Sequence, residues 1–293
     1  MEQEIIEKYK KAGKIAKEAL AFGKELIKKD SKVLDVCNKV EKKIIELGGE
    51  IAFPAQISMN ETAAHYCPEE GDETKFEDQL VSLDVGVHVD GYIGDNACSV
   101  DLSGNNSELV KASQEALKAA IEKVKVGVKL AEIGKAIEDA IEGHGFHPVK
   151  NLSGHGLDFY NIHCAPTVPN FDTKGDEVLE KQVIAIEPFA TNGVGLIQEK
   201  GKASVFSLTG KKSVRIGFVR NIQKEIESYN QLPFTTRWLT KKFSEAQVRY
   251  SFNQFKQLEI LKEYPSLVER QEGLVSQAEH SLLVDDEVII LTQ

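Results

Sequence analysis

The chain has 293 residues, 41% of them hydrophobic, and carries 46 Asp plus Glu against 36 Lys plus Arg for a net charge of −10. That size and apolar content fit one large domain or two ordinary ones. The acidic excess argues against a nucleic-acid backbone as the main ligand, because phosphate recognition favours clustered Lys and Arg. No apolar run reaches the ~20 residues a membrane span needs. The opening Met1-Glu-Gln-Glu has no basic-then-apolar signal pattern. Four dispersed cysteines without a C-x-x-C pair point to free thiols in a reducing cytosol. A cytoplasmic protein is expected, and nothing requires more than a monomer.

In chain order, Ala12 to Lys28 and Lys32 to Ile44 show helical spacing of apolar residues. Both recur after a shift of 97 positions, as Leu109 to Lys125 and Lys129 to Ile141. Val33, Asp35, Val36, Val40, Glu41 and Ile44 fall on Leu130, Glu132, Ile133, Ile137, Glu138 and Ile141. Glycines suited to a C-cap follow each copy: Gly48-Gly49, then Gly143 and Gly145. Strand-like sequence follows each helix pair. An α+β chain built from a duplicated helix-helix-sheet unit is expected, with a site where the halves meet.

Between the two copies, Leu83-Asp-Val-Gly-Val-His-Val89 alternates strictly and runs into Asp90-Gly91, a strong hairpin signal. A two-residue loop there pairs Val89 with Tyr92, Gly86 with Asp95 and Asp84 with Ala97. Asp84 and Asp95 then share a sheet face as diagonal neighbours, with Cα atoms roughly 7–8 Å apart. Gly86 opposite Asp95 is expected to leave the space open. Burying two carboxylates this close is costly without cations.

Three later blocks add further candidates. Ser153-Gly-His-Gly156 presents His155, Val183-Ile-Ala-Ile-Glu-Pro188 ends a buried-type strand on Glu187, and Ala278-Glu-His-Ser-Leu-Leu283 carries Glu279. Each is weak alone. Together with Asp84 and Asp95 they give four carboxylates and one imidazole, a set suited to two hard-to-borderline divalent cations. His88, His144, His147 and His280 are left outside the site. Between these blocks, residues 204–275 change character. Ser244-Glu-Ala-Gln247 has capping-box form and opens a helix expected to end before Pro265, and Arg220 to Tyr229 is a second helix candidate. Residues 204–275 are therefore expected to be a helical insertion in a body of residues 1–203 and 276–293. Strand signals resume at Ser276 to Val284, with a closing hairpin over Glu287 to Leu291.

The blocks LDVGVHVDGYIGDNA, NLSGHGLDFYNIHCA, IAIEPFAT and QAEHSLLV, in this order, resemble those of type II methionine aminopeptidases, which have the pita-bread fold. The insertion before the last block is the type II feature, and the short start looks archaeal. The resemblance implies a dinuclear centre of Co, Mn, Fe or Zn. Asp95 and Glu279 would bridge the metals, Asp84 would complete one coordination sphere, and His155 with Glu187 the other. His65 and His163 match the family's two non-ligand histidines, with His163 at the oxyanion and His65 at the substrate amide; Glu187 would shuttle a proton. Phe53, Ile162 and Phe189, with His65, would line the methionine pocket. Ala278 stands where many type II enzymes carry Phe. The implied activity is removal of the initiator methionine of nascent polypeptides, with a small second residue preferred and the ribosome a candidate partner. The alternatives are an Xaa-Pro aminopeptidase or prolidase, or a non-catalytic relative that binds protein or RNA.

Overall fold

In the computed structural model, which describes residues 1–293, each half begins with a helix pair. The first half runs α1 (Gln3–Leu26), α2 (Val33–Glu46), three short strands β1 (Glu50–Ile51), β2 (Gln56–Met59) and β3 (Thr62–Ala64), then a long hairpin of β4 (Leu80–Val89) and β5 (Tyr92–Asp101). The second runs α3 (Ser107–Lys123), α4 (Leu130–Gly143), β6 (His147–Pro148), β7 (Ser153–Asp158), β8 (Asn161–Pro169), β9 (Gln182–Ile186) and β10 (Phe189–Thr191). After these come β11 (Ile197–Leu208), α5 (Gly217–Glu227), β12 (Phe234–Thr235), α6 (Thr236–Thr240), α7 (Glu245–Gln257) and β13 (Leu261–Glu269). The chain closes with β14 (Val275–Gln277), β15 (His280–Val284) and β16 (Val288–Ile290).

The repeat is visible residue by residue. Helix α2 buries Val33, Val36, Cys37, Val40 and Ile44, one stripe at helical spacing. Helix α4 buries Leu130, Ile133, Gly134, Ile137 and Ile141, the same stripe 97 positions on. Neither helix has a side-chain N-cap. A neighbouring strand-like segment satisfies the first N–H instead: Val33 donates to the Thr74 carbonyl at 3.0 Å, and Leu130 to the Glu177 carbonyl at 2.9 Å. Both helices end on a left-handed glycine, Gly48 and Gly145, each at φ +80°.

The two helix pairs cover two antiparallel sheets. Strands β1 and β2 lie in succession along one edge of β4 and β5 pairs with the other; the second sheet has the order β16-β15-β9-β7-β8. Ile15, Ala19, Val36, Val40 and Ile44 pack on Leu83, Val85 and Val87 of β4. In the second half, Leu109, Ala116, Ile133, Ile137 and Ile141 pack on Ile184, Ile186, Leu282 and Val284. At ~1.5–3 kcal/mol per buried large aliphatic, both interfaces stabilise the placement of helices on sheets. The β4–β5 turn has the expected parity. Asp90 and Gly91 have φ +49° and +88°, as a type I′ turn requires, and Val89↔Tyr92, Gly86↔Asp95 and Asp84↔Ala97 are the partners.

The segment over 204–275 is mixed rather than helical. Helices α5, α6 and α7 enclose their own core of Phe206, Val219, Ile222, Phe234, Leu239, Phe252 and Phe255. The segment is framed by the long antiparallel pair β11–β13, and β13 also pairs with β3 of the first half. The capping box at Ser244 and Gln247 is present. Its helix nevertheless stops at Gln257, because Glu259 turns left-handed at φ +55° and the chain reverses into β13, which contains Pro265. Polar Lys262 and Glu263 hide that strand from hydrophobic periodicity. No helix is long and apolar enough to cross a membrane, and all four cysteines are free.

Candidate metal centre

The five acidic and imidazole candidates line one cavity of about 720 Å³. Asp84 comes from β4, Asp95 from β5 and His155 from β7; Glu187 follows β9, and Glu279 sits in the break between β14 and β15. Strand structure does resume over Ser276 to Val284, as two strands with Ala278 and Glu279 between them. The break delivers the side chain: Glu279 N–H donates to the Ala97 carbonyl at 3.1 Å and Ala278 N–H to the Pro188 carbonyl at 3.3 Å. Glu279 is thereby tied at once to the Asp95 strand and to the turn after Glu187.

Two serines stitch this seam between the halves. Ser281 Oγ accepts from Asp95 N–H at 2.8 Å and donates to the Asp95 carbonyl at 2.7 Å. Ser99 Oγ accepts from Gln277 N–H at 2.8 Å and donates to its carbonyl at 2.9 Å. Each hydroxyl satisfies both backbone groups of a residue in the facing segment, where no backbone ladder runs. Gln277 Nε2 also donates to Glu279 Oε2 at 3.2 Å. These serines and Gln277 were not among the sequence candidates. A hydroxyl at a strand position carries no pattern that marks it as a stitch.

Asp95, His155 and Glu279 each offer one donor atom, and the three lie within 4.8 Å of one another. His155 Nε2 is 3.9 Å from Asp95 Oδ2 and 3.5 Å from Glu187 Oε1. Burial drives the electrostatics. It pushes Asp84 up to about 7. Asp95 and Glu279 are raised well above the ordinary carboxylate range, by burial first and then by neighbouring carboxylates, and Glu187 by burial and then Asp84. Burial lowers His155 to about 4, leaving a neutral imidazole able to act as a ligand. Asp84 Oδ1, Asp95 Oδ1 and Glu279 Oε1 are buried without any hydrogen-bond partner. Three orphaned acceptors in a carboxylate-imidazole cluster are expensive for a chain alone, and they are the donor set a divalent cation takes. The residues present fit the group.

The other named residues gather in the walls around this cluster, and the reading of Gly86 needs correction. His163 stacks edge-on against His155 with centroids 4.5 Å apart, and burial lowers it to about 3. His65, at φ +66°, is held by its N–H donating to Gln56 Oε1 at 2.8 Å, and its Nδ1 lies 3.3 Å from the Pro265 carbonyl. Burial lowers it to about 4. Phe53, Ile162 and Phe189 all line the cavity. Gly86 does not leave space open: a Cβ there would fall 2.0 Å from Phe53 Cε1. The phenyl ring of Phe53 fills the site of the missing side chain, so Gly86 shapes the pocket wall. Pro233, Lys262, Tyr264 and Leu267 form a further wall. They were missed because β13 was taken for the end of a helix. His144 pairs with Glu115 at 2.7 Å and His280 with Thr292 at 2.9 Å, local contacts away from the cluster.

The profile of metallopeptidase family M24 matches residues 7–218. A methionine aminopeptidase of Archaeoglobus fulgidus is 49% identical over 289 residues, covering 98% of this chain and 97% of that one. A methionine aminopeptidase of Methanocaldococcus jannaschii is 39% identical, covering 100% and 99%. The crystal structure of a methionine aminopeptidase from Thermotoga maritima superposes with a TM-score of 0.73 at 24% identity, covering 100% of this chain and 98% of the other, and shows the shared pita-bread fold. The chain belongs to metallopeptidase family M24, alongside its archaeal methionine aminopeptidases.

Proposed function

We propose that this protein removes the N-terminal methionine of new polypeptides by hydrolysing their first peptide bond. The observation that carries the site is the convergence of five candidate donors from five separate segments on one cavity, three of their oxygens buried and without a hydrogen-bond partner. The end-to-end match to methionine aminopeptidases carries the substrate and weighs against the Xaa-Pro and non-catalytic alternatives. Asp84, Asp95, His155, Glu187 and Glu279 would hold two divalent cations drawn from Mn, Fe, Co or Zn, with Asp95 and Glu279 shared between them. Such cations neutralise the clustered carboxylates and make hydroxide available near neutral pH.

The remaining chemistry falls to the chain. His163 is neutral above pH ~5 and would offer an uncharged N–H to the developing oxyanion. Neutral His65, its Nδ1–H directed at the Pro265 carbonyl, would present Nε2 as an acceptor to the substrate amide N–H. The Glu187 carboxylate would carry a proton from the attacking water to the leaving amine. Phe53, Ile162, Phe189 and His65 would enclose an unbranched methionine side chain and exclude water from the cut bond. The free thiols fit a cytoplasmic site of action, and such a substrate would make the ribosome a candidate partner. The test is direct: protein stripped and reloaded with each metal is given Met-Ala-Ser, Met-Leu-Ser and an Ala-Pro peptide. Release of methionine chiefly from Met-Ala-Ser is expected. Cleavage of the Ala-Pro peptide alone, or no turnover with any metal, would overturn the proposal.

A further inference from the structure

Away from the metal centre, a buried charge ties the insertion to the first half. Arg237 on α6 is fully buried, and Glu41 on α2 is only 5% exposed. Arg237 Nη1 donates to Glu41 Oε2 at 2.7 Å and to Asn38 Oδ1 at 3.0 Å, while Nη2 donates to Glu41 Oε1. The result is a two-pronged fork on one carboxylate. Trp238 Nε1 adds a bond to Glu41 Oε2 at 2.9 Å. Ion pairs this deeply desolvated add little net stability over an apolar pair of the same shape, so their value lies in the geometry they fix.

That geometry reaches the substrate cavity by three routes. Glu41 Oε1 accepts the Ala55 N–H at 3.2 Å, two residues after Phe53 and one before Gln56, which holds the His65 N–H. Arg237 Nη2 reaches Cys67 Sγ at 3.7 Å; Cys67 N–H donates to Ser204 Oγ, which donates back to the His65 carbonyl at 3.4 Å. Pro233, four residues before Arg237, lines the same cavity as Phe53 and His65. We infer that Arg237 and Glu41 are positioning residues that set the separation between the Phe53–His65 wall and the insertion wall, and so the size of substrate residue admitted.

This inference rests on the aminopeptidase activity for one of its two tests. In an Arg237→Met/Glu41→Gln double variant, which removes both charges together, the kcat/KM ratio for Met-Ala-Ser over Met-Leu-Ser is expected to fall about tenfold, with metal content unchanged. Amide exchange at Ala55, His65 and Cys67 should accelerate by at least about tenfold. Arg237→Lys, a charge without the fork, should fall between wild type and the double variant on both measures. A double variant with wild-type selectivity and wild-type protection at those amides would overturn the inference. Should the wild type cleave neither peptide, the proposed function fails, and the exchange measurement still decides the positioning role. The single variants leave one charge buried and alone, so the double variant is the informative one where a single change prevents folding.

Discussion

The two halves of this molecule share a frame and differ in what they hang on it. Helices α2 and α4 bury the same stripe 97 positions apart, start without a side-chain cap, and stop on glycines at the same φ of +80°. The chemistry is unequal. The first half gives two carboxylates from one hairpin, Asp84 and Asp95, whereas the second gives His155 and Glu187 from separate segments, and Glu279 arrives from the chain's last strands. The repeat therefore supplies a common frame, and the candidate donors set at the seam differ between the halves. Around Asp95 and Glu279 the halves are joined by the Ser99 and Ser281 hydroxyls and the Glu279–Ala97 backbone bond and not by a continuous ladder.

The largest effect expected on this contrast is at the seam's donors. Asp95→Ala or Glu279→Ala should lower kcat/KM on Met-Ala-Ser by at least about a thousandfold while far-UV circular dichroism stays native. Near-normal turnover would refute the shared-ligand role. Next comes Gly86→Ala, whose Cβ would meet the Phe53 ring; a loss of roughly 1–3 kcal/mol in urea unfolding is expected, with a raised KM. Unchanged stability would mean Phe53 is free to move aside. Ser281→Ala orphans both backbone groups of Asp95 and should cost about 1–3 kcal/mol. The smallest and most symmetric test is Gly48→Ala beside Gly145→Ala. Both sit at φ +80° with nothing near a Cβ, so each should cost about 1 kcal/mol, equal within ~0.5. A clear inequality would break the equivalence of the halves.

Much of this was legible in the sequence where local rules decide. Asp90-Gly91 fixed the hairpin parity and hence the shared face of Asp84 and Asp95, because a two-residue loop admits one register. The helix repeat was legible because burial imposes 3.6-residue spacing whatever the rest of the fold does. Features that depend on a distant partner were not. Gly86 owes its meaning to Phe53, Arg237 to Glu41, and Ser281 to Asp95, each across 33 to 196 positions. Strand β13 was lost because its exposed first half alternates no hydrophobics, so Lys262 and Tyr264 were not seen as cavity walls.

Asp84, Asp95, His155, Glu187 and Glu279 are expected to form one dinuclear metal centre. In the metal-free protein the carboxylates' folded pKa values lie above their unfolded ones. Their stability is present below about pH 4 and is lost as pH rises through the folded values, from Asp84 near 7 upward. His65, His155 and His163, lowered to about 4, 4 and 3, act oppositely and lose stability as pH falls from about 6.5 through those values. Cations replace the protons held by the carboxylates, so metal should raise Tm more at pH 8 than at pH 6. The decisive measurement of such a centre is calorimetric titration of metal-free protein with Mn²⁺ in buffers of different ionisation enthalpy. Two ions per chain with net proton release, and loss of at least one ion in Asp95→Asn, is the predicted result. No binding, or the same stoichiometry and proton release in Asp95→Asn, would contradict it.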